Sequence, residues 1–127
     1  AAEAVRYVQE VGRPNVKILL DTFHMNIEED SMGGAIRTAG KLLGHVHVGE
    51  ANRKLPGQGR LPWDEIGEAL REIGFSGNVV MEPFVKMGGK VGEDIKVWRD
   101  LSDNADEAQM DANIKKSLGF LREKFEA

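Results

Sequence analysis

The chain has 127 residues, no cysteine, and 17 Lys and Arg against 21 Asp and Glu, for a formal charge of −4. Its 41% hydrophobic content argues against intrinsic disorder, and the lack of cysteine excludes a disulfide scaffold. No apolar run approaches the roughly 18 residues that span a bilayer, and a mildly acidic chain has no electrostatic footprint for nucleic acid. These features predict one domain over residues 1–127, without nucleic-acid or membrane partners, in a reducing cytoplasm. The chain opens Ala1-Ala2-Glu3, with no methionine and no signal peptide, which points to processing or cropping at its start.

Ala1 to Val11 is rich in helix formers, and Gly12 followed by Pro14 predicts a stop. Val16 to Leu20, ending in Asp21, is a β-branched and apolar run without alternation, apart from Lys17. It predicts a strand buried on both faces, as in a parallel sheet. Asn26 to Ser31 is a polar stretch, and Ser31 is placed to cap a helix running to Leu42 or Leu43, which Gly33 and Gly34 weaken at its start. Gly44 to Gly49 predicts a second strand, followed by a loop with Pro56, Gly57 and Gly59. Pro62 sits near the first position of a helix, and Trp63, Ile66, Leu70 and Ile73 step by 3, 4 and 3 along one face before Gly74. Asn78 to Met81 predicts a third strand, ending in Glu82 and Pro83. Ile95, Trp98 and Leu101 suggest a helical turn after a Met87-Gly88-Gly89 loop. From Asp106 the spacing of Met110, Ile114, Leu118, Leu121 and Phe125 predicts a long amphipathic helix.

Strands separated by helices predict an α/β fold with right-handed crossovers and a parallel sheet. An open three-stranded sheet leaves two unpaired edges. A (β/α)8 barrel takes about 250 residues, so this chain has about half of one and three of its eight strand–helix units.

Each predicted strand ends in a residue able to bind or react: Asp21 with His24 one turn on, His45 and His47 with Glu50 and Arg53 beyond, and Glu82. Ligands of α/β folds bind at the carboxyl ends of parallel strands, so Asp, His and Glu converge on one region. That mix of oxygen and imidazole suits Mn²⁺, Co²⁺, Mg²⁺ or Zn²⁺. Each residue also has a plainer role: Asp21 as a helix cap, Glu82 as a solvated carboxylate, and Arg53 and Arg60 as exposed charge, the last preferred for Arg60. His45 and His47 share a strand face. His47, nearer the strand end, is favoured as ligand and His45 as a structural neighbour.

Leu20-Asp21-Thr22-Phe23-His24-Met25-Asn26-Ile27-Glu28-Glu29 resembles the D-tagatose 3-epimerase family, which includes the D-psicose (D-allulose) 3-epimerases. So do Gly44-His45-Val46-His47-Val48-Gly49-Glu50 with Asn52-Arg53, Pro56-Gly57-Gln58-Gly59-Arg60, Val80-Met81-Glu82-Pro83-Phe84 and Asp94 to Leu101. The resemblance spans nearly the whole chain. It implies the C-terminal portion of a xylose-isomerase-like (β/α)8 TIM barrel, with three parallel strands alternating with helices, and with Trp63 to Leu70 in an outer helix. It implies a divalent metal, Mn²⁺ first with Co²⁺ or Mg²⁺ as alternatives, held by Asp21, His47 and Glu82. It makes Glu82 one of two catalytic carboxylates and gives His24 and Arg53 contacts to substrate oxygens.

The activity so implied is epimerisation of a free ketose, such as a ketohexose, at carbon 3, by proton abstraction through an enediolate. The family's first ligand glutamate lies on the strand before the one carrying Asp21, which would precede Ala1. Glu3 and Glu10 fall in the outer helix and do not replace it. The 127-residue chain is therefore expected to be weakly active or inactive alone, and to associate with itself or with a complementary N-terminal half. A non-catalytic half-barrel and an aldose–ketose isomerase of the same superfamily are the alternatives. A zinc endonuclease fits less well, because the acidic balance provides no phosphate footprint. Gly88-Gly89-Lys90 is too slight a loop to argue for a sugar-phosphate substrate.

Overall fold

The computed structural model describes residues 1–126. Helix α1 (Ala2–Val11) leads to strand β1 (Ile18–Asp21), α2 (Thr22–Glu28) and α3 (Met32–Ala39). A 3₁₀ turn (Gly40–Leu42) feeds β2 (Leu43–Val48), followed by α4 (Trp63–Glu72), β3 (Asn78–Met81), α5 (Gly89–Asp94) and α6 (Glu107–Glu126). The strands form one parallel sheet in the order β1-β2-β3, so β2 is central and both outer strands are edges. The predicted α/β class and the three parallel strands are thus present.

Alternation along the strands gives the sheet two unlike faces. Ile18, Leu20, Val46 and Val48 point outward and pack with Ile36, Ala39, Trp63, Ile66, Ala69 and Leu70 of α3 and α4. Ile66, Ala69 and Val48 are fully buried there. Leu19, His45, His47 and Val80 line the other face, where Leu19 is 50% exposed and Val80 41%. The expectation that the first strand is buried on both faces is therefore wrong for this chain. Its unbroken apolar run serves a helix-covered face on one side and an open face on the other.

Other boundaries shift for local reasons. The Val16 N–H donates to the Arg13 carbonyl, closing a turn after Pro14, so the ladder starts at Ile18. Part of the polar stretch from Asn26 is helical: Asn26, Ile27 and Glu28 are the exposed side of α2, whose buried residues are Thr22 and Met25. Helix α3 stops at Ala39, short of Leu42, because Gly40 turns the chain with φ 49°. Ile95, Trp98 and Leu101 are not a helical turn. The helix there is α5, just before them, and Lys96 at φ 62° reverses the chain. In α6, Leu121 is buried, whereas Ile114 and Leu118 are each 41% exposed, so its apolar stripe is only partly covered.

Gly33 has a specific use. Glu65 at the start of α4 accepts hydrogen bonds from the Gly33 N–H and the Ser31 hydroxyl, both at 2.7 Å. A Cβ on Gly33 would lie 2.8 Å from Glu65 Cγ and Oε1, so a larger residue there would push the carboxylate aside. The hydroxyl first, and then the N–H, hold the Glu65 carboxyl below its ordinary range. The glycine that weakens α3 by propensity lets α4 cap it.

Candidate metal centre

The parallel register places Asp21 beside His47 and His47 beside Val80. The Glu82 N–H donates to the Val48 carbonyl at 3.0 Å, which carries the ladder one step past β3. Glu82 is two residues beyond Val80, so it returns to the face occupied by Asp21 and His47. Three adjacent strand ends thus present Asp, His and Glu to one point, and one donor atom from each lies within 4.8 Å of the others.

The two Asp21 oxygens have different partners. Oδ1 accepts the Phe23 N–H at 2.8 Å and caps α2, whereas Oδ2 lies 3.8 Å from His47 Nδ1. The cap and cluster roles coexist in one side chain, and the cap bond fixes which oxygen faces the cluster. His47 Nδ1 lies 3.2 Å from Glu82 Oε2, so it is flanked by both carboxylates. Side-chain exposure rises from 13% at Asp21 to 26% at His47 and 40% at Glu82, which makes Glu82 the most accessible of the three. His45 stands one row behind, its ring edge-on to His47 with centroids 5.0 Å apart, and is outside the three-donor cluster.

His24 and Arg53 meet the cluster through Phe23. The His24 ring is edge-on to Phe23 at 5.2 Å, and His24 lines a shallow depression with Leu19, Asp21 and Glu28. The Arg53 guanidinium lies over the Phe23 ring, 3.6 Å from its centroid, and 5.4 Å from that of Phe84. Arg53 lines a different depression, with Asn52, Val97 and Trp98, so the two residues flank the centre rather than share a cavity. Arg60 is exposed. Glu3 and Glu10 lie on the exposed side of α1.

Two supports were not legible as such. Thr22 is fully buried, and its hydroxyl donates to the Gly49 carbonyl at 2.7 Å and accepts the Gly49 N–H at 3.0 Å. That reciprocal pair ties the ends of β1 and β2 together immediately beside Asp21 and His47. A threonine after an aspartate carries no sequence signal for this. Glu50 is also fully buried, although its place in a Gly/Pro-rich loop suggests solvent.

The donor set fits a divalent cation. Two carboxylates offset its charge and a neutral imidazole completes a mixed N/O set suited to Mn²⁺, Co²⁺, Mg²⁺ or Zn²⁺. Donors on one such ion at about 2.1 Å lie up to about 4.2 Å apart, so small side-chain rotations bring these three into range. No helix among the described residues is long and apolar enough to cross a membrane.

The chain is 65% identical over 122 residues to a D-psicose 3-epimerase of Agrobacterium fabrum, covering 96% of this chain and 42% of that protein. It is 64% identical over 122 residues to a D-psicose 3-epimerase of Ruminiclostridium cellulolyticum, with the same coverage. It superposes with a TM-score of 0.97 on a crystal structure of a D-psicose 3-epimerase in the presence of D-fructose, at 62% identity over 99% of this chain and 44% of that one. The chain thus spans less than half the length of these relatives. Residues 1–123 match the family model described as xylose isomerase-like TIM barrel, and the chain belongs to that family.

Proposed function

We propose that Asp21, His47 and Glu82 are the metal-holding part of a ketose 3-epimerase site, with Mn²⁺ as its ion and a free ketohexose as its substrate. One observation carries this reading: three donors converge at adjacent strand ends in a chain closely similar to D-psicose 3-epimerases. The proton on carbon 3 of a ketose is weakly acidic, and its removal needs a base within hydrogen-bond reach. Glu82, the most open carboxylate of the cluster, takes that role. When bound, the cation supplies Lewis-acid stabilisation of the negative charge that develops on the substrate oxygens. Asp21 and His47 hold their donor atoms in place, Asp21 through its cap bond to Phe23. His24 and Arg53, on either side of Phe23, orient the sugar oxygens.

Inversion of the carbon needs a second carboxylate on the opposite face of the substrate. The cluster of the described residues contains one solvent-open glutamate. We assign the second to the part of the barrel that these residues do not span. Its strands would pair with the edges of β1 and β3 and close over the open inner face. A cysteine-free chain suits a reducing compartment, in keeping with a cytoplasmic enzyme.

The test is a chimera in which this chain replaces the matching segment of the Agrobacterium fabrum relative. The expected result is Mn²⁺-dependent interconversion of D-fructose and D-psicose, abolished by EDTA and by Glu82→Gln. A folded chimera without turnover, or one indifferent to Glu82→Gln, contradicts the proposal.

A further inference from the structure

Beyond the three-donor cluster, the most completely buried ionisable group is Glu50, which has no part in the chemistry proposed above. Its Oε1 accepts the Gly57 N–H at 2.8 Å and the Trp63 indole N–H at 2.7 Å, and its Oε2 accepts the Leu61 N–H at 3.2 Å. A carboxylate without partners is costly to bury, and three converging donors offset that cost. Gly57 and Leu61 belong to the returning half of the loop that leaves β2 and Trp63 opens α4, where that loop ends, whereas Glu50 stands at its root. Gly59 passes so close that a Cβ there would collide with the Glu50 carboxylate. The loop is therefore wrapped around this one side chain.

The outgoing half carries Arg53. The Arg53 N–H donates to the Glu50 carbonyl at 2.9 Å, and the Glu50 N–H to the Lys54 carbonyl at 3.0 Å. This tight turn holds Arg53 at φ 68°, a left-handed conformation unusual for a residue with a side chain. The Arg53 carbonyl accepts the Phe84 N–H at 3.0 Å, two residues past Glu82. We infer that Glu50 is a positioning residue: its buried carboxylate fixes the loop after β2 and thereby sets the Arg53 guanidinium over Phe23 at the edge of the metal centre. A functional consequence for sugar binding rests on the ketose reading; the positioning itself does not.

Proton and nitrogen NMR of the full chain tests it. In the wild type, the Arg53 side-chain resonances are expected upfield of those of a free arginine, because the Phe23 ring lies 3.6 Å beneath them. The Trp63 indole N–H is expected downfield through its bond to Glu50. Glu50→Ala should return both to free values while leaving the Mn²⁺ dissociation constant within about threefold. Should Glu50→Ala fail to fold, Glu50→Gln, which opposes an amide N–H to that of Leu61, and Gly59→Ala, which displaces the carboxylate without removing it, provide the same reading. Arg53 resonances unmoved in a folded variant whose Trp63 signal has moved overturn the inference, as does a Trp63 signal that never depended on Glu50. Titration of the chimera with D-psicose is separate. Weaker sugar binding in Glu50→Ala, with Mn²⁺ binding kept, carries the inference to substrate. A wild-type chimera that binds no ketose sinks the ketose reading while the NMR result on Glu50 stands.

Discussion

The two faces of the sheet are made by the same three strands and behave as different materials. On the outer face Val46, Val48, Ile66 and Ala69 are at most 1% exposed and are closed over by α3 and α4. On the inner face Leu19 and Val80 lie open, and the polar side chains collect at one end of it. The outer face is largely closed within these residues, although Val79 on β3 remains 36% exposed, and it holds the fold. The inner face has little packing of its own, so its side chains are held by hydrogen bonds at the strand ends: the Thr22–Gly49 pair, the Asp21–Phe23 cap and the Glu50 loop. Stability and chemistry are thus assigned to opposite faces, and each face has its own characteristic mutation.

The largest effect is expected outside. Ile66→Ala leaves a cavity in the closed layer and should cost about 2–5 kcal/mol in urea unfolding, with Mn²⁺ affinity little changed under conditions where the variant remains folded. On the inner face the sign of the comparison reverses. Mn²⁺ at a hundred times its dissociation constant should stabilise the chain by about 2.7 kcal/mol, an increment removed by EDTA. Because ligand groups must give up protons to bind a metal, that increment should shrink on acidification. Glu82→Gln should weaken Mn²⁺ binding at least tenfold, since loss of groups that merely orient ligands costs about 10–100-fold. Its effect on unfolding without metal should stay within about 0.5 kcal/mol, as for other accessible positions.

Glu65→Ala tests how the outer layer is joined. It removes the acceptor for the Ser31 hydroxyl and the Gly33 N–H, and should cost about 1 kcal/mol, measured by thermal unfolding, without changing Mn²⁺ binding. The smallest effect belongs to the segment after α5. The Ser102 hydroxyl and N–H, assisted by Lys86, hold the Asp100 carboxyl down to about 2 from an ordinary 3.8. A carboxyl whose pKa falls on folding stabilises the ordered segment above its unfolded value, and loses that contribution as pH drops from 3.8 through 2. Fluorescence of the exposed Trp98, followed from pH 5 to pH 2, should show this transition, and Asp100→Asn should abolish it.

The sequence carried the outer face well, because its signals are local. The 3-4-3 spacing from Trp63 to Ile73 and the Ser31 cap are patterns that helices obey wherever they sit, and both are found. The end of α3 at Gly40, the full extent of the helix through Thr22–Glu28 and the reversal at Lys96 are not given by local pattern, since each is decided by a turn or by packing against another element. Of the inner face, Asp21, His47 and Glu82 could be named because each ends a strand. Their convergence depends on register, which places Glu82 one row beyond Val80, level with the end of β2. Thr22 and Glu50 were not readable as supports, because nothing local to Thr22 specifies Gly49 as its partner, and nothing local to Glu50 specifies Trp63.

The most direct test of the account is a Mn²⁺ titration of the chain, followed by electron paramagnetic resonance, in four forms: wild type, Asp21→Asn, Glu82→Gln and His45→Ala. The account predicts one Mn²⁺ bound by the wild type, retained by His45→Ala, and weakened at least tenfold by Asp21→Asn and by Glu82→Gln. Binding that survives both carboxylate substitutions, or that depends on His45 as much as on them, would contradict a metal centre at these strand ends.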